Sequence, residues 1–136
     1  MPRHSTQSPV NRLQRVIQKK DQTRGIYAFN LQSMQMDSSP LFAIDSRDFL
    51  DSAEDTFNPS GLAIHPQSGL LYIIGSKGEK MIVCYGLDGN FKEALKLDKN
   101  QFIQPEGITF MPSGELVISS EGKKGKDAAI MIFSGQ

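Results

Sequence analysis

Apolar residues along this chain gather in short runs separated by turn chemistry. Residues 62–65 (LAIH) and 108–111 (ITFM) are each closed by a proline, Pro66 and Pro112, which has no N–H to give to a ladder and so ends a strand. The QSG and SG that follow supply a glycine that tolerates positive φ in a tight turn. Strands are then predicted at 70–75 and 115–119, and again at 80–87 and 128–133, with Asp88-Gly89-Asn90 as a further hairpin turn. Residues 91–97 alternate, with Phe91, Glu93, Leu95 and Leu97 on one side and Lys92, Ala94 and Lys96 on the other, as in an outer strand.

These segments repeat. NPSGLAIHP (58–66) matches QPEGITFMP (104–112) in register, with Gly61 and Gly107, and Pro66 and Pro112, each 46 positions apart. A period of roughly 40–50 residues carrying four strands is the signature of a β-propeller blade. The expected fold is therefore all-β, a partial β-propeller of about two to three four-stranded antiparallel blades. Upstream, 25–31 (GIYAFNL) reads as the third strand of an earlier blade, aligned with 82–87 (IVCYGL), and 41–45 as its outer strand. Residues 46–57 read as an acidic connection with one helical turn starting after Ser46. Residues 11–20 fit either a short helix with Leu13, Val16 and Ile17 on one face or a second strand. The division is thus a basic N-terminal segment or incomplete first blade at 1–24, then blades at 25–136.

Two carboxylates, Glu106 and Glu121, bracket the hairpin QPEGITFMPSGELVISSEG. Chain direction alternates between neighbouring strands, so a first strand starting near Glu106 and a second ending near Glu121 bring both acids to one rim. Carboxylates on one rim, together with backbone carbonyls, suit a hard cation such as Ca²⁺, or an ammonium or sugar ligand. In the preceding repeat the aligned positions are Ser60 and Ser76 or Lys77, so Ser60 and Lys77 are predicted on the ligand face. A second reading stands beside this one: Glu next to Gly is ordinary in solvated loops, and Lys123, Lys124 and Lys126 lie close enough in sequence to neutralise Glu121. A glycosidase pair would need a defined carboxyl separation and one raised pKa, neither of which a sequence displays.

Composition narrows the choices. The chain has 136 residues, 38% of them apolar and 22% charged, enough for one domain with a core. The longest apolar runs fall far short of the roughly 18 residues that cross a bilayer as a helix. The first 20 residues carry no apolar stretch of a secretory signal. Net charge is zero yet unevenly placed: six basic residues and one acid precede Gly25, leaving nine basic and fourteen acidic residues after it. A basic arm with no aromatic residue and no recognisable motif argues against nucleic-acid binding and reads as a solvated segment.

Other candidates are weaker. His65, beside Pro66, is expected to pack or cap a turn, and with only His4 besides there is no multi-histidine constellation. Cys84, the single cysteine, has no activating neighbour and reads as a small core residue. The glycines of SEGKKGKD lack the spacing of a phosphate loop and sit between strands.

Over residues 25–133, the strings NPSGLAIHPQSGLLYIIGS, YGLDGNFKEALKLDKNQFIQPEG and QPEGITFMPSGELVISSEGKKGK resemble the SdiA-regulated family of β-propeller-like proteins. The resemblance implies a six-bladed propeller about twice this length, exported or membrane-associated, in the cell envelope or periplasm, with no assigned activity. The pattern is also similar to gluconolactonase-like and NHL-type propellers, some of which hold a divalent cation at the channel mouth; Glu106 matches that kind of position. With two and a half blades visible, the expected partners are the remaining blades of a longer protein or a second copy of the chain. The functional expectation is a non-catalytic binding or scaffold module with Ca²⁺ or a small ligand on its loop face. The alternative is a remnant of a metal-dependent lactonase-like or esterase-like hydrolase, which the Ser60 in place of an acid disfavours.

Overall fold

The computed structural model describes residues 22–134, which are all-β and contain no α-helix. A leading two-stranded sheet pairs β1 (Thr23–Ile26) with β4 (Phe42–Asp45), and between them lies a small hairpin of β2 (Phe29–Asn30) and β3 (Gln35–Met36). A single 3-10 turn, Ser46–Asp48, follows, where the sequence places a helical turn. The central sheet is an antiparallel meander of β5 (Phe57–Ile64), β6 (Leu71–Gly78), β7 (Met81–Tyr85) and β8 (Phe91–Lys96). A trailing sheet holds β9 (Gln104–Phe110), β10 (Leu116–Glu121) and β11 (Ala129–Phe133), in that spatial order. Only the central sheet has the four strands expected of each repeat; the trailing sheet has three among the described residues. Residues 11–20, readable as helix or strand, lie outside the described residues.

The turns follow the chemistry of the sequence. After β5, His65 N donates to Leu70 O and Gly69 N to His65 O, with Gly69 at φ 74°. After β9, the same construction recurs: Met111 N donates to Glu115 O and Gly114 N to Met111 O, with Gly114 at φ 102°. A residue with a Cβ is strained in that region, which is why glycine ends both turns.

The three sheets stack so that both faces of the central one are covered along β6 and β7, while Leu62 and Ile64 of β5 stay about half exposed. On one face Leu71, Ile73, Met81, Val83 and Tyr85 are buried with Ile44 of β4 and Phe57, and Ile26, Phe42 and Phe49 pack against them. On the other, Ile74 and Ile82 are buried with Phe102 and Ile118, flanked by Tyr72, Ile108, Leu116 and Met131. All five residues of β7 are therefore buried, which accounts for an unbroken apolar run, MIVCY, where a strand covered on one face alternates. Each such aliphatic side chain contributes roughly 1.5–3 kcal/mol by leaving water.

Ile26 of β1 packs toward the sheet that follows it, as Ile82 of β7 does, whereas Val83 faces the sheet before. Side chains alternate along a strand, so β1 and β7 present matching faces when Ile26 is set level with Ile82.

Candidate functional site

The inner strands of the two repeats carry bulges at the same step. In β5 the pairing runs from Asn58↔Lys77 to Pro59↔Gly75 and then to Gly61↔Ile74, leaving Ser76 of β6 unpaired at the first step and Ser60 at the second. In β9 it runs from Gly107↔Ser119 to Pro105↔Ser120, leaving Glu106 unpaired. A bulge adds one residue to one strand and re-aims its side chain. Ser60 and Glu106, which align in sequence, are the bulged residues of their strands.

The two side chains are used differently. The Ser60 hydroxyl lies 3.0 Å from Pro105 O in the trailing sheet and 3.2 Å from Ile74 O in its own, so its proton is spent on the seam between sheets. Glu106 is half-buried, and its Oε2 accepts a hydrogen bond from Gln104 Nε2 at 3.0 Å. Gln104 is held in turn by its N–H donating to Ser120 Oγ at 3.0 Å. Glu121 is exposed and stands opposite Gln104 in the ladder, so Glu106 and Glu121 occupy the same end of the β9–β10 hairpin. Lys77 is exposed at the matching end of β6, where Asn58 Nδ2 donates to its carbonyl oxygen at 3.3 Å. Among the described residues no three His, Cys, Asp or Glu side chains converge. Since Ca²⁺ takes six to eight oxygens, carbonyl or further ligands would have to complete a shell around these acids.

Beside this rim, at the start of β5, a cavity of about 250 Å³ is lined by Gln22, Arg24, Ser46, Asp55, Thr56, Phe57 and Asn58. Residues 46–57 read from sequence as a connection with one helical turn, not as the wall of a cavity. The signal was the polar run DTFN leading into the strand, but its closure against Gln22 and Arg24 depends on β1 pairing with β4.

The opposite end of the hairpins is structural. His65 Nδ1 accepts N–H groups of Gln67 at 3.1 Å and Ser68 at 3.2 Å, so the imidazole caps the turn that Pro66 begins. Its ring packs edge-on to Phe110 at 4.8 Å, and Phe110 on Tyr72 at 5.1 Å. Gln67 Nε2 donates to Pro112 O at 2.9 Å and so joins the turns of the two repeats. Cys84 is buried in the core opposite Tyr72, as a small apolar residue would be. Burial pushes its thiol pKa up, a shift the Tyr72 hydrogen bond partly opposes.

Compared with family models, curated proteins and solved structures, the chain finds no match. Among the described residues no helix is long and apolar enough to cross a membrane.

Proposed function

We propose that this chain is a β-propeller segment, of the kind the SdiA-regulated resemblance implies, acting as a non-catalytic binding or scaffold module of the cell envelope. Its rim binds a divalent cation such as Ca²⁺ or a small polar ligand. The observation that carries the reading is the shared bulge. At the same step of successive repeats the backbone re-aims one residue near the rim, a serine that ties the sheets together in the first and a glutamate in the second. Glu121 adds a second carboxylate at that end, and the cavity at Asn58 adds polar lining next to it. His65 is bound into a turn at the far end, so among the described residues no imidazole stands beside the rim acids.

The test is calcium titration by calorimetry, with thermal denaturation in the presence and absence of the ion. Saturable binding and a raised Tm are expected for the wild type, both reduced in Glu106→Gln and Glu121→Gln. A response equal in all three proteins would reject the rim as the cation site. Calcium-dependent hydrolysis of a simple lactone, lost in Glu106→Gln, would reject the non-catalytic part of the reading.

A further inference from the structure

The ladder pairings allow the faces of successive sheets to be compared position by position. In the central sheet, one row runs Gly61–Ile74–Ile82 and the next Ala63–Tyr72–Cys84. In the trailing sheet the corresponding rows run Gly107–Ser119–Ile130 and Thr109–Val117–Ile132. The first set is covered: Ile82 and Cys84 are 6% and 1% exposed, because the trailing sheet lies on them. The second set is bare, with Ile130 73% and Ile132 60% exposed. All six of its residues are uncharged, with the hairpin's acids at the two ends of the face, Glu115 before Val117 and Glu121 after Ser119.

The glycine at the head of each row carries a separate message. A Cβ on Gly61 would stand 2.9 Å from the backbone oxygen of Glu106, so glycine is needed there for the next inner strand to come close. Gly107 occupies the same step, yet a Cβ on it would meet only Ser119 of its own sheet. The trailing face therefore keeps a glycine suited to the close approach of another backbone.

The leading end of the stack presents a second bare face, made by β1 and β4. Tyr85 faces the sheet before it and is 1% exposed, stacked on Phe42 of β4. Tyr27, on the outward side of the leading sheet, is 49% exposed and lies across Gly25, with Ala43 paired to that glycine in the neighbouring strand. Gly25, Tyr27 and Ala43 are likewise uncharged, and Asp45 in the next row is paired with Arg47.

From these matched faces we infer that a second copy of this chain seats its leading sheet, through Tyr27, Gly25 and Ala43, on the trailing face formed by Thr109, Val117, Ile130 and Ile132. The contact is head-to-tail, because the two faces differ, and it continues the stacking already present between the sheets of one chain. The inference rests on that stacking and is independent of any ligand at the rim.

Light scattering after size-exclusion chromatography tests it, at a series of protein concentrations and without added calcium. The wild type is expected to associate. Ile132→Glu, which spoils only the trailing face, and Tyr27→Glu, which spoils only the leading face, are each expected to run as monomers with a β-rich circular dichroism spectrum. Mixed together, they are expected to form a heterodimer, since Ile132→Glu still offers an intact leading face and Tyr27→Glu an intact trailing one. If Ile132→Glu does not fold, Thr109→Lys, at an exposed position of the same face, takes its place. A wild type that stays monomeric at every concentration, folded variants that associate as the wild type does, or a mixture that fails to pair would each overturn the inference.

Discussion

The hydroxyl of Ser60 in the central sheet sits 3.0 Å from the backbone oxygen of Pro105 in the trailing sheet, at the rim end of their shared seam. Gln67 makes the corresponding link at the far end, its amide donating to Pro112 O at 2.9 Å. Two inner strands from successive repeats are thus tied together at both ends.

Removing the rim tie has a definite cost. Ser60→Ala leaves the oxygens of Pro105 and Ile74 without that proton in a half-buried seam, and such a loss costs about 1–2 kcal/mol. Urea denaturation is expected to show a lower midpoint with an unchanged slope. No shift in midpoint would mean that the hydroxyl is not holding the seam.

The two aligned glycines should respond differently to alanine. At Gly61 the new methyl meets a backbone oxygen that cannot turn aside, so Gly61→Ala is expected to destabilise by about 1–3 kcal/mol. At Gly107 the obstacle is the Ser119 hydroxyl, which can rotate away, and the folded chain should lose less than about 1 kcal/mol. Chemical denaturation of the pair, at a concentration where the chain is monomeric, decides it; equal losses would contradict the intersheet contact.

Alkaline pH should loosen the core before neutral pH does. Burial, helped by a hydrogen bond with Cys84, pushes the Tyr72 phenol up to about 12 from an ordinary 10. Burial and the hydrogen bond to Asp48 push Tyr85 up as well. A raised phenol pKa means that the fold favours the protonated ring. The contribution is therefore whole below pH 10 and is lost as pH climbs from 10 through 12. Tm measured across that window is expected to fall, and to fall less steeply in Tyr72→Phe.

Cys84 should behave as a masked thiol. It is 1% exposed, and burial raises its pKa, so little thiolate is present to attack a disulfide reagent. Labelling is expected to be negligible in the native protein and to rise with denaturant along the unfolding curve. Rapid stoichiometric labelling under native conditions would contradict the packing of β7.

Much of this architecture could be read from residues alone, because punctuation and period are local properties. Pro66 and Pro112 stop strands, Gly69 and Gly114 close turns, and the 46-residue repeat predicts that the second hairpin resembles the first. The end of the hairpin at which Glu106 and Glu121 lie was also legible, since it needs only alternating strand direction. Less visible was what the aligned serine does. Ser60 reads as a ligand-face hydroxyl, whereas its oxygen serves the seam, and that depends on a neighbouring sheet at close range. The cavity beside Asn58 was hidden for the same reason, being assembled from separate segments at Gln22–Arg24, Ser46 and Asp55–Asn58.

Burial of β7 on both sides gives the molecule a centre that opens last. Its amides, paired to β6 and β8 within a sheet packed on both faces, are expected to exchange last, while β1 and β11 fray first at the margins. A chain built this way tolerates changes at its outer layers and is least forgiving along residues 81–85.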